Sequence, residues 1–105
     1  MKNLLQEEWK AQLSNDKNSI IIDTRTLEEY KSGIIENAIV IDFLQQDLFL
    51  EEVNKLDKTK TYYLYCRSGN RSGKACLIME GLGFKESFNL MGGINDWKGE
   101  KVSLS

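Results

Sequence analysis

The sequence predicts an α/β fold in which a parallel sheet carries helices on both faces. Two observations point there. Short runs rich in β-branched and aromatic residues recur along the chain, and the first three are nearly continuous in apolar character: Ser19-Ile20-Ile21-Ile22, Ala38-Ile39-Val40-Ile41 and Thr61-Tyr62-Tyr63-Leu64-Tyr65, followed later by Ser87-Phe88-Asn89-Leu90. Apolar continuity without alternation suits strands buried on both faces. Between these runs lie segments with helical spacing. Strands alternating with helices build parallel sheets, because right-handed crossovers place the helices over the two faces.

Taken in order, Asn3 followed by Leu5, Trp9 and Leu13 predicts an opening amphipathic helix. The first strand ends at Asp23. Thr26 can cap a short helix through Lys31, with Gly33 closing it. Residues 38–41 form the second strand, and Gln46 through Leu56 a helix whose Leu48, Val53 and Leu56 share a side. The third strand, Thr61 to Tyr65, leads straight into Cys66. Ala75, Ile78, Met79 and Leu82 fall at i, i+3, i+4 and i+7 and define a helix that Gly83 ends. The last strand is followed by Gly92-Gly93 and a final helical turn containing Trp97. No repeat, low-complexity tract or proline-rich linker interrupts the pattern, so residues 1–105 read as one domain.

A chain of 105 residues with 41% hydrophobic content can bury a modest core without disulfide or metal staples. No run approaches the ~20 apolar residues that span a bilayer, and Gln6, Glu7, Glu8 and Lys10 do not make a secretory signal, so the expected address is the cytoplasm. The net charge of -2 argues against affinity for nucleic acid or an anionic membrane. Between Lys58 and Met79, however, the chain carries Lys58, Lys60, Arg67, Arg71 and Lys74 and no acid. That stretch is either an anion attractor or a patch neutralised by acids folded over it from elsewhere.

Histidine is absent, which removes Ser-His-Asp triads, Cys-His proteases and imidazole zinc sites. With only Cys66 and Cys76, a four-cysteine site is excluded as well, and free thiols are expected rather than a disulfide. Cysteine chemistry here has to run without an imidazole base.

The stretch Cys66-Arg67-Ser68-Gly69-Asn70-Arg71-Ser72 can do that. A strand ends, Gly69 permits a tight backbone path, and a helix begins, so successive N–H groups can converge on one atom. Such a nest, with the positive end of the helix dipole behind it, stabilises a thiolate and any anion bound to it. Arg67 and Arg71 add planar cationic forks suited to oxyanions such as thiosulfate, although Arg67 serves solubility equally well. Ser68, Asn70 and Ser72 contribute mainly through their backbones. A thiolate held this way can attack a sulfane sulfur, become a persulfide and later yield the outer sulfur to a nucleophile in a ping-pong cycle. That cycle needs no base, metal or organic cofactor.

Other residues read as structural. Cys76 lies along the following helix, on the order of 10 Å or more from the nest at ~1.5 Å per residue, and is assigned to packing. Asp23 and Arg25 are expected to brace neighbouring loops by hydrogen bonds or by pairing with Glu28 or Glu29. Gly92-Gly93 supplies a turn rather than a phosphate loop, since no Lys-Ser or Lys-Thr opens a helix after it. Trp97 is expected in the core.

Three segments in order resemble the signatures of rhodanese domains. Ile22-Asp23-Thr24-Arg25 with Glu28, Tyr30, Gly33, Ala38 and Ile41 is similar to their opening signature. Tyr65-Cys66-Arg67-Ser68-Gly69-Asn70-Arg71-Ser72 is similar to their active-site loop, and Leu90-Met91-Gly92-Gly93 with Trp97 to their closing signature. The resemblance implies a central parallel sheet of about five strands and a persulfide on Cys66. It also implies a small anionic donor such as thiosulfate, and either a thiol or cyanide acceptor or a sulfur-relay protein as partner. One departure is that Gly33-Ile34-Ile35 stands where the family often has Gly-His-Ile. Two rivals remain: a cysteine-dependent phosphatase or arsenate reductase, and a noncatalytic module of the same fold. The phosphatase signature places five residues between cysteine and arginine, whereas four separate Cys66 from Arg71. Noncatalytic modules typically lack the cysteine, and this chain keeps it.

Overall fold

The computed structural model describes residues 1–103 and contains one sheet of five parallel strands, in the order β1-β5-β4-β2-β3. The strands are β1 (Lys2–Leu4), β2 (Ser19–Asp23), β3 (Ile39–Val40), β4 (Thr61–Tyr65) and β5 (Glu86–Leu90). The helices are α1 (Gln6–Asn15), α2 (Leu27–Tyr30), α3 (Gln46–Asn54) and α4 (Asn70–Gly81). The central strand β4 shows why both faces are covered. Its Tyr62 and Leu64 join Ile22, Phe49, Val53, Ala75, Cys76 and Met79 under α3 and α4. Its Tyr63 and Tyr65 join Ile21, Leu4, Trp9 and Leu90 on the α1 side. Side chains alternate across a strand, so an unbroken apolar run supplies two cores at once.

The chain opens differently from the sequence expectation. Residues 2–4 form a strand, and α1 starts only at Gln6. Three residues with only Leu4 buried carry no strand period of their own. The strand exists because β5 offers an unpaired edge, onto which Lys2, Asn3 and Leu4 pair with Phe88, Asn89 and Leu90. The strand expected over residues 38–41 is shorter, Ile39–Val40, since it lies at the opposite edge.

Helix α3 also faces differently. Its buried side chains are Phe49 and Val53, an i, i+4 pair, and Leu48 points outward with 52% of its surface exposed. Trp97 is half-buried, packing edge-on against Trp9 and donating its indole N–H to the Glu100 carbonyl. No helix among the described residues is long and apolar enough to cross a membrane.

Candidate active site

The parallel arrangement brings the carboxyl ends of all five strands to one edge of the sheet, where open α/β folds bind ligands. Cys66 follows β4 at that edge and is only 1% exposed. Burial alone would argue for inert packing. The sulfur, however, faces the head of α4: the Gly69 N–H donates to Sγ at 3.1 Å, and the Ser72 hydroxyl lies 3.4 Å away.

These donors decide the ionisation of the thiol. Burial pushes the Cys66 pKa up, but the Ser72 side chain and the N–H groups of Ser72, Gly69 and Ser68 favour the charged form and together bring it below the usual thiol value. The first N–H groups of a helix have no partner inside it, which is why they are free to serve a sulfur here.

Two features hold the loop in shape. Gly69 is the N-cap of α4 with φ of 105°, and a side chain there would approach the Leu90 carbonyl oxygen to 3.2 Å. Gly93 packs so closely beneath the loop that a Cβ would overlap the Arg67 carbonyl and come within 2.6 Å of the Cys66 oxygen. From the same turn, Ile94 and Asn95 donate their N–H groups to the carbonyls of Cys66 and Arg67 at 3.0 and 3.1 Å. The Gly92-Gly93 turn thus clamps the base of the loop.

Of the residues proposed from sequence, Arg67, Ser68 and Asn70 have exposed side chains around the mouth, and Ser72 is fully buried beside the sulfur. Arg71 turns its fork to Glu29, donating from both terminal nitrogens to the two carboxylate oxygens at 2.7 Å. This bond, reinforced by Thr26, holds the Glu29 carboxyl down to about 2. An acid from α2 therefore does fold over the basic stretch. Asp23 and Arg25 brace loops as expected, but they pair with each other. Arg25 Nη2 donates to Asp23 at 2.7 Å and to the Gly33 carbonyl at 2.6 Å, and Nη1 reaches the Glu29 carbonyl at 3.2 Å. The carboxylate of Glu29 belongs to Arg71 instead.

Cys76 is buried and free in the middle of α4, and burial pushes its thiol up to about 12. Sequence reasoning missed Asn89 of β5, whose amide touches both Ser72 and Gly69. Its signal was a β-averse amide side chain inside a strand that is otherwise suited to burial.

The sequence profile of the Rhodanese-like domain family matches residues 6–100. The chain belongs to that family. It is 34% identical, over 95% of its own length and 93% of the relative's, to the putative sulfurtransferase YtwF of Bacillus subtilis. An identity of 35% to a tRNA uridine(34) hydroxylase of Pelagibacter ubique covers 84% of this chain but only 29% of that protein. A match of 31% to the putative sulfur carrier protein YrkF of B. subtilis covers 90% of the chain and 49% of that protein. The chain thus spans less than half of two of these relatives and nearly the whole of the third. Among solved structures, the rhodanese-like domain protein of Staphylococcus aureus superposes with a TM-score of 0.85 at 33% identity, covering both chains completely.

Proposed function

We propose that this rhodanese-like chain is a sulfurtransferase that carries a sulfane sulfur on Cys66. The observation that carries the reading is the Cys66 sulfur itself, buried against the first N–H groups of α4 and more acidic than an ordinary thiol. Relatives named as sulfurtransferases and a sulfur carrier favour the same chemistry over phosphate hydrolysis.

With thiosulfate as donor, the Cys66 thiolate attacks the outer sulfur. The Sγ–S bond forms, the donor S–S bond breaks, and sulfite leaves with that bonding pair. The product is a persulfide whose negative charge sits on the outer sulfur. In the second half-reaction a thiolate or cyanide attacks that outer sulfur, and Cys66 departs as thiolate, ready for another cycle. The donors around Sγ favour this departure, because a thiolate stabilised by hydrogen bonds is the better leaving group. Arg67, exposed at the mouth and without a carboxylate partner among the described residues, suits an anionic donor or an acidic face of a relay protein. Cytoplasmic thiol acceptors fit the same cycle.

Mass spectrometry after incubation with thiosulfate tests the proposal. One added sulfur on the Cys66 peptide, removed by cyanide or dithiothreitol, is the expected result. An unmodified peptide together with hydrolysis of an aryl phosphate would replace this reading with the phosphatase.

A further inference from the structure

Ser72 has one hydroxyl proton and two acceptors within reach. Its Oγ lies 3.4 Å from Cys66 Sγ and 2.5 Å from Asn89 Oδ1. The main chain fixes which way the Asn89 amide points. Nδ2 sits 3.0 Å from the Gly69 carbonyl, which can only accept, and 2.9 Å from Asn3 Oδ1. Both amide hydrogens are engaged there, so Oδ1 faces Ser72 purely as an acceptor. A contact of 2.5 Å between these two oxygens then requires the Ser72 proton to lie between them.

With its proton on Asn89, Ser72 offers the sulfur only a lone pair. That suits a neutral S–H, which can donate to it, or a Cys66 whose charge has moved to an outer sulfur. It does not suit a bare thiolate. We infer that Asn89 is a positioning residue that competes with Cys66 for the single hydroxyl proton of Ser72. The hydroxyl turns to Sγ when the thiolate forms and back to Asn89 when sulfur is loaded. Asn3, from the edge strand, keeps the amide oriented for this exchange.

The competition tunes the two half-reactions against each other. Removing the rival acceptor leaves the hydroxyl on the sulfur, making Cys66 more acidic, a better leaving group and a weaker nucleophile per ionised thiol. The charges facing the sulfur come from other elements. Arg67 is its chain neighbour, and Arg71 of α4 senses its charge while paired with Glu29 of α2 and facing Asp42. Asp96 lies across the Gly92 turn. Substitution at residue 89 alters none of them.

The test is the pH dependence of alkylation by iodoacetamide, in the full chain carrying Cys76→Ser. Asn89→Leu should lower the midpoint by about 0.7 pH unit, the equivalent of roughly 1 kcal/mol for one hydrogen bond to the thiolate, and raise the rate below it about twofold once the weaker nucleophilicity is counted. In a Ser72→Ala background the same change should move nothing. A midpoint that stays or rises, or one that falls equally without the Ser72 hydroxyl, overturns the inference, because Asn89 would then act through Gly69 or the fold. If the leucine variant does not fold, Asn89→Asp decides in the opposite sense. It should raise the midpoint, and more so with Ser72 present than in Ser72→Ala. The inference rests on Cys66 being the working nucleophile, but alkylation needs no sulfur donor. Failure to form a persulfide would therefore sink the sulfurtransferase reading while leaving this shift measurable.

Discussion

The chain contains the same side chain in two settings less than three helical turns apart, and the contrast separates burial from reactivity. Cys66 is 1% exposed and Cys76 0% exposed, so solvent access does not distinguish them. Yet one thiol is held below its usual range and the other is driven up to about 12. Cys66 sits ahead of α4, where N–H groups have no helical partner and can turn to a sulfur. Cys76 lies inside the helix, where the N–H groups are committed to carbonyls one turn back. Low dielectric alone favours the neutral thiol, and only donors aimed at the atom reverse that.

The widest gap between the two sites should appear in sulfur loading. Cys66→Ser is expected to abolish it, by at least about 1,000-fold, whereas Cys76→Ser should stay within about twofold of the parent when persulfide is quantified by cyanide release. Labelling at pH 8 under native conditions should next favour Cys66 over Cys76 by at least about 100-fold, read from tryptic peptides; comparable labelling of both would erase the contrast. Ser72→Ala sharpens it further. Loss of the hydroxyl should raise the Cys66 alkylation midpoint and, because the remaining thiolate is the stronger nucleophile, slow alkylation at neutral pH about twofold, which titration of the rate would show.

The smallest effect concerns the brace rather than the sulfur. Glu29→Gln weakens the fork with Arg71 and should cost about 1 kcal/mol of stability near neutral pH in denaturant melts. The acid limb distinguishes this variant from a generic loss. Glu29 drops from the usual 4.5 to about 2 on folding, so its contribution is complete above about 4.5 and fades as pH falls toward 2. The stability gap between the parent and Glu29→Gln should therefore narrow as pH falls through that interval.

The sequence makes some regions legible and hides others for physical reasons. Strand β4, helix α4 and the loop between them declare themselves locally, through an aromatic run, an i, i+3, i+4, i+7 stripe and a glycine that turns the chain. Strand β1 does not, because Lys2-Asn3-Leu4 becomes extended only by pairing with residues more than 80 positions away. In α3 the choice between Leu48 and Phe49 depends on where β3 delivers the chain, and helical spacing alone does not decide it. The candidate nucleophile Cys66 is readable from its loop. Its supporting contacts, Glu29 to Arg71 and Asn89 to Ser72, span 42 and 17 residues and are set by the order of strands in the sheet.

Among the described residues, the groups that hydrogen-bond to the Cys66 sulfur are amides and an alcohol, and none of these gains or loses a proton between mildly acidic and mildly alkaline solution. Loading by a donor that does not itself titrate in that range should consequently rise along a single sigmoid and level off, without the descending arm that a conjugate acid would impose. Cys66 would then still accept sulfur in alkaline surroundings where histidine-assisted thiols lose their proton donor.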